Sequence, residues 1–148
     1  MKRDIGLIKA LLEYIEDHYD GMESARPITI YEDKKLKKYV EQSNENNKGK
    51  DIGVVFHYHL NLLVEAGLVI AIEDTKKQIP HDSLLKMYYP IRLSWEGHDF
   101  VANCKNPETW ERVKSVVNET KSFGFDVIKN ALVACATLAV QKALGQIP

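Results

Sequence analysis

The sequence predicts an α+β fold that is mostly helical, and three observations carry this prediction. Apolar residues recur at helical spacing in several segments, of which 51–66 is the clearest. Two short runs rich in β-branched and aromatic residues, 68–72 and 88–93, flank a polar stretch and predict paired strands. The 148 residues, 45% of them apolar and 28% charged, are typical of one globular domain with an appended element.

The first half of the chain contains three predicted helices. Ile5, Ile8 and Leu11 form one apolar stripe, and Asp4 is suited to cap the helix that carries it. Asp51 is expected to cap the third helix, and Gly67 to end it in the left-handed conformation. The predicted elements of this half are helix 4–18, short strand 28–31, helix 33–42, polar loop 43–49 and helix 51–66.

The second half begins with the two strands and ends in three more helices. Strand 68–72 alternates little, which predicts that both of its faces are covered. Trp95 and Trp110 are large apolar side chains and are expected in the core. Ser94 and Ser122 are predicted helix caps, and Pro107 is suited to a helix start. The predicted helices are 95–103, 107–120 and 123–144, after a polar loop over 74–87.

The order helix, strand, helix, helix, strand, loop, strand is that of a winged helix-turn-helix domain. In that fold the third helix is the recognition helix, and the loop between the strands is the wing. The sequence therefore predicts a winged helix-turn-helix domain over residues 1–104. A C-terminal helical extension over 105–148 is expected to serve packing and dimerisation.

Several segments resemble a bacterial and phage family of uncharacterised proteins, domain-of-unknown-function family 2513. The similar strings are "HYHLNLLVEAGLV" and "RLSWEGHDFVANCKNPETWERVK", with W-E-G-H-x-F at 95–100 as the most specific part. The resemblance implies a winged-helix-like fold and a phage or mobile-element context. It implies no established activity, so no catalytic residue is carried over.

Acidic and basic residues nearly balance over the whole chain, with a formal net charge of -1, but they are unevenly distributed along it. From Lys34 to Lys50 there are six lysines and two glutamates, a local net charge of +4. Lysines at this place can contact phosphates and position a helix-turn-helix on double-stranded DNA. His57 and Asn61, expected on the exposed side of the third helix with Val54 and Tyr58, can bond to base edges. The predicted DNA-contacting residues are Lys34, Lys35, Lys37, Lys38, Lys48, Lys50, His57, Asn61, Lys76 and Lys77.

Two other interpretations of this surface remain open. The lysines are also compatible with a simple solvated face, and an Arg-free third helix with neutral total charge favours a protein-interaction module. His57 and His59 are two apart and cannot share a metal ion as an i, i+4 pair could. His59 lies nearer the apolar side of the helix, so it is expected to be a hydrogen-bonded core residue. No catalytic motif, cofactor motif or metal-ligand spacing is found, so an enzyme is not predicted.

The last helix is apolar on nearly every side and needs cover. Pairing with the same helix of a second copy would supply it, which predicts a homodimer. Packing within one chain and interfacial membrane association are the alternatives. The predicted dimerisation residues are Phe125, Ile128, Leu132, Cys135, Leu138 and Ala139. The sequence shows no signal peptide and no span of about 20 apolar residues, and its two cysteines are far apart, so a cytoplasmic protein is expected.

Overall fold

A computed structural model describes residues 3–21, 27–28, 33–47, 50–80, 84–120 and 124–145. The fold is α+β and mostly helical, as predicted. Contacts between residues divide the chain into two compact units, Met1–His98 and Asp99–Pro148. The elements are α1 Ile5–His18, α2 Lys34–Asn46, α3 Ile52–Glu65, β1 Val69–Asp74, β2 Met87–Leu93, α4 Trp95–Cys104, α5 Pro107–Thr120 and α6 Phe125–Ala143.

The core of the Met1–His98 unit lies where α1, α2 and α3 pack on one another and where α1 and α3 pack on the hairpin of β1 and β2. The predicted stripe of α1 is buried, with Leu11 and Ile15 fully enclosed. Phe56 of α3 and Leu36 of α2 complete the centre of this core. Helical spacing of apolar residues therefore places the right side chains inside.

The predicted signals at the ends of α1 and α3 are confirmed. The Asp4 carboxylate accepts a hydrogen bond from the backbone N–H of Leu7 at 3.1 Å, and the Asp51 carboxylate accepts one from Gly53 at 2.8 Å. Gly67 has φ +76°. Its N–H bonds to the Val64 carbonyl, and that of Leu68 bonds to Leu63, so α3 ends in a Schellman motif.

The second helix is longer than predicted, because it continues through part of the expected loop to Asn46. Asn47 explains the extension: its side-chain amide and its backbone N–H both donate to the Ser43 carbonyl, at 2.9 and 3.1 Å. A polar, asparagine-rich sequence can therefore finish a helix as well as form a loop. The predicted strand 28–31 falls largely on residues outside the described ranges.

The two strands form an antiparallel hairpin. Ile70 lies opposite Arg92, but Ala71 lies opposite Pro90, so Ile91 has no counterpart and forms a β-bulge. The prediction that both faces of the first strand are covered is wrong. Ile72 is 52% exposed, because side chains alternate along β1 and only one face of this two-stranded sheet packs on the described helices.

The corner between β2 and α4 is fixed by three close contacts. The Ser94 hydroxyl donates to the Gly67 carbonyl at 2.6 Å and accepts from the Gly97 N–H at 3.0 Å, which confirms Ser94 as the predicted cap. The Ser94 N–H bonds to the Leu68 carbonyl at 2.9 Å. Gly97 approaches that same carbonyl so closely that a β-carbon at residue 97 would lie 2.1 Å from its oxygen.

The Asp99–Pro148 unit contains α5 and α6, which pack on each other. Pro107 is the first residue of α5, as predicted, and the Asn106 side chain accepts from the N–H groups of Glu108 and Thr109. The predicted cap Ser122 lies outside the described residues. The N-cap position of α6 belongs to Gly124, which supplies no side-chain hydrogen bond.

Candidate functional site

The lysines of α2 follow an N-cap at Asp33, whose carboxylate accepts from the Leu36 N–H at 2.8 Å. Lys34 and Lys38, one turn apart, are both exposed and form no ion pair within the described ranges. The other two lysines of the helix are paired. Lys35 lies 3.0 Å from a carboxylate oxygen of Glu13, and Lys37 lies 3.9 Å from one of Glu41. Part of the predicted positive cluster is therefore neutralised locally.

Glu13 is the acidic residue that ties this face to α1. Its carboxylate also contacts Lys9 at 2.9 Å. Burial alone would raise the pKa of Glu13, but hydrogen bonds from Lys9 and Lys35 outweigh burial and hold that pKa below its ordinary value. Glu13 is therefore ionised at neutral pH, and Lys35 is held by it. Beyond α2, Lys50 is exposed, whereas Lys48 lies outside the described residues.

The third helix differs from the predicted recognition surface. Val54 and Asn61, expected to be exposed, are both buried at about 5% exposure. His57 and Tyr58 are half-buried. Burial lowers the pKa of His57 to about 4, so its ring is neutral at pH 7. The helix contains no lysine or arginine, and its one acidic residue, Glu65, is at its C-terminal end, so the length between Ile52 and Val64 is uncharged at pH 7.

Asn61 is buried because it holds the end of the loop between β1 and β2, which is the predicted wing. Its side-chain oxygen accepts from the Lys86 N–H at 2.9 Å, and its side-chain nitrogen donates to the Lys86 carbonyl at 2.8 Å. The same nitrogen donates to the His57 carbonyl at 2.8 Å. The amide of Asn61 is thus occupied by the protein itself and is not displayed for a base edge, which corrects the predicted exposure.

The described residues of this loop and of its first strand end carry three lysines and Asp74. Lys76, Lys77 and Lys86 are exposed, and the Lys77 ammonium lies 6.0 Å from the centre of the Tyr89 ring. The Tyr89 hydroxyl donates to Asp74 at 2.8 Å, which is the main reason that the pKa of Asp74 is lowered. The loop is also less polar than predicted, since Ile79 is buried.

Trp95 is the largest departure from the predicted core. Its side chain is 82% exposed, whereas Trp110 is half-buried. Hydrophobicity alone gave no signal for this difference, because a tryptophan one residue after a helix cap can face either way. His59, in contrast, is fully buried and hydrogen-bonded, as predicted.

The apolar character of α6 is retained at its described side chains. Val133, Thr137, Val140 and Leu144 lie at helical spacing on one side, and all four are exposed. Leu138, a predicted dimerisation residue, is 47% exposed on another side. The other predicted residues are Phe125, Ile128, Leu132, Cys135 and Ala139, whose side chains lie outside the described part of the chain.

Metal-binding clusters and membrane-spanning helices are both absent from the described residues. Those residues include no group of three or more His, Cys, Asp or Glu side chains placed to hold a metal ion. Within the same residues, no helix has both the length and the apolar character needed to cross a membrane.

The comparisons with known proteins give one match. A family model described as "Hypothetical protein (DUF2513)" matches residues 2–124. No curated protein and no solved structure matches the chain. The match covers most of the chain, including every element from α1 to α5.

Proposed function

The chain belongs to the DUF2513 family, and we propose that its Met1–His98 unit binds double-stranded DNA through phosphate contacts without reading base sequence. The order of its elements supports a winged-helix arrangement, in which α2, α3 and the loop between the strands face the duplex. In the context that the family resemblance implies, such a protein is a small cytoplasmic regulator or phage-associated accessory factor.

One observation carries the proposal: Lys34 and Lys38 are exposed on one side of α2 and are not paired within the described residues. Two ammonium groups one helical turn apart can contact neighbouring phosphates of one strand. Lys50, before α3, and the wing lysines Lys76 and Lys77 add further cations. The neutral, buried character of α3 argues against base reading, so the expected binding is weak and independent of sequence.

Salt titration tests this proposal. The full chain should bind unrelated duplexes of equal length with equal affinity at low salt, and added salt should weaken binding steeply. Replacing Lys34 and Lys38 together by glutamine should reduce the slope of log affinity against log salt by about 2, because about 0.9 is lost per phosphate contact. Fluorescence anisotropy with labelled duplexes measures both quantities.

A matched variant separates local contacts from total charge. Lys114 and Lys142 lie in the Asp99–Pro148 unit, and replacing both by glutamine removes the same total charge. This control should leave the salt slope nearly unchanged. The absence of binding to any duplex at low salt, or equal losses in the two variants, would refute DNA binding through α2.

A second candidate function is a protein-interaction module with the same fold. The neutral side of α3 and the exposed indole of Trp95 favour it, because neither feature serves phosphate binding. The same titration distinguishes the two functions: a chain that binds no duplex at any salt concentration but remains folded leaves the interaction module as the better proposal.

We also propose that the chain forms a homodimer through α6. The stripe of Val133, Val140 and Leu144 supports this, since three apolar side chains exposed on one side of a helix gain by burial. Replacing Val133 and Val140 together by glutamate should convert a dimer to a monomer in size-exclusion chromatography with light scattering. Lys142→Glu, on the opposite side of α6, should leave the dimer intact, and a monomeric unmodified chain would contradict the proposal.

A further inference from the structure

Trp95 is an exposed tryptophan on a rigid support. It is the first residue of α4 and follows Ser94, whose hydroxyl is bonded on both sides at 2.6 and 3.0 Å. Two residues later, Gly97 is pressed against the Leu68 carbonyl. The backbone that carries the indole is therefore fixed, although 82% of the side chain is exposed to solvent. Because the backbone of α4 is already ordered here, covering the indole with a partner would cost little backbone conformational entropy in this chain.

A side-chain contact ties the end of α1 to the helix that carries this indole. Trp95 and His98 are three residues apart, so they share one side of α4. His98 Nδ1 lies 3.2 Å from a carboxylate oxygen of Glu16 on α1. This contact holds the last turn of α1 near the first turn of α4, which begins at Trp95.

This neighbourhood is acidic. Asp17, Asp20 and Glu96 are exposed, and Glu16 is half-buried. The C-terminal end of α1 adds the negative end of a helix dipole. One cation also lies near the end of α1: the Arg92 side chain runs over Gly21 and donates to the Leu93 carbonyl at 2.9 Å. We call this set the Trp95 surface: Trp95, Glu96, Glu16, Asp17 and Asp20.

We propose that the Trp95 surface binds an arginine- or lysine-containing segment of a partner protein. The face of an indole attracts a cation, and the surrounding carboxylates favour the same sign of charge. Phosphate groups would be repelled by these four carboxylates, so the surface is unsuited to DNA. The proposal is independent of DNA binding, because it uses none of the lysines of α2 or the wing.

The test uses the full chain and two synthetic peptides as probes. One peptide alternates arginine and glycine over nine residues, and the other carries glutamate in place of arginine. Isothermal titration calorimetry should show binding of the arginine peptide only, weakened by salt. Trp95→Ala should reduce the affinity about tenfold, and Trp95→Phe by less, because a smaller aromatic face still attracts a cation.

Three controls make the result decisive. Asp17→Asn with Asp20→Asn should also weaken peptide binding, whereas Ile72→Ser, at another exposed apolar side chain, should leave it unchanged. All variants should stay folded by circular dichroism, because the replaced side chains are exposed. Equal binding by Trp95→Ala and the unmodified chain, or equal binding of both peptides, would overturn the proposal. Self-association that Trp95→Ala abolishes would also overturn it, because the occupant would then be a second copy.

Discussion

Replacing Gly97 by alanine should lower the free energy of unfolding by roughly 2–4 kcal/mol, although alanine is normally the better helix former. The reason is the approach of α4 to the preceding corner. A β-carbon at residue 97 would lie 2.1 Å from the Leu68 carbonyl oxygen, which is backbone and cannot rotate away. The same carbonyl also accepts a hydrogen bond from the Ser94 N–H, directly before α4, so a shift of α4 away from Leu68 would strain that hydrogen bond. Urea denaturation of the full chain measures the loss.

Gly53→Ala provides the comparison within the same unit. Gly53 also lies in the first turn of a helix, but the nearest atom to its added β-carbon is the end of the Asp51 side chain, at 3.0 Å. That side chain can move, so the change in unfolding free energy should stay within about 1 kcal/mol. If Gly97→Ala proved as stable as Gly53→Ala, the close packing of α4 on Leu68 would be wrong.

Stability should fall as the solution is acidified from pH 7 to pH 5, because two histidines are folded in their neutral form. Burial is the main reason that the pKa of His59 is lowered, and it outweighs the opposing effects of the Val55 carbonyl and Asp4. His59 Nδ1 donates to Val55 at 2.8 Å, while Nε2 accepts from the Asp4 N–H at 2.9 Å. A proton added at Nε2 would break the second bond, at the residue that caps α1.

The sign of this pH dependence of stability follows from comparing the pKa values of the two rings in the folded and unfolded chains. Each ring has an ordinary pKa of 6.5, and His57 reaches about 4 in the folded chain, so the unfolded chain binds protons first. Their contribution is present in full above pH 6.5 and is lost as the pH falls below it. For His57 the loss at pH 5 is about 2 kcal/mol, less any relief by partial solvent access. His59 acts in the same direction.

Denaturation at several pH values between 7 and 5 measures this slope. His57→Gln removes one titrating ring. It should reduce the slope of the unfolding free energy against pH by the equivalent of up to one proton taken up on unfolding. Thr75→Gln, at an exposed position without a titrating side chain, serves as the control and should leave the slope unchanged. A stability that does not change over this interval would show that neither ring is held neutral in the folded chain.

The helices and several of their ends were predictable because they depend on local chemistry, whereas the end of α2 was not. A short carboxylate or hydroxyl side chain directly before an apolar stripe predicts a helix cap from neighbouring residues alone. Asp4, Asp51 and Ser94 are such caps. Gly67 marks a helix end for the same reason. The order of the described helices and of the two paired strands, and the burial of His59, also followed from the sequence pattern.

The details of the candidate sites depend on contacts between distant residues, which spacing does not show. Asn61 pairs with Lys86, 25 residues away, and this pairing turns a presumed base-reading side chain into a structural one. Lys35 is occupied by Glu13, 22 residues away. Trp95 is exposed because Gly97, and not the indole, is the residue of α4 that meets the Leu68 corner. Each outcome depends on which side of an element meets its neighbour.

The Asn61–Lys86 contact also bears on how far the wing can vary in length. One end of the loop is held where Asp74 accepts from Tyr89 and from the Lys76 N–H, and the other end is held by Asn61. The hairpin therefore keeps its register whatever number of residues lies between these two anchors. Each doubling of a flexible loop costs only about 0.6 kcal/mol. Insertions beside the exposed Lys76 and Lys77 should consequently be tolerated, and they would change the reach of these lysines. Deletions that remove the buried Ile79 should instead destabilise the unit.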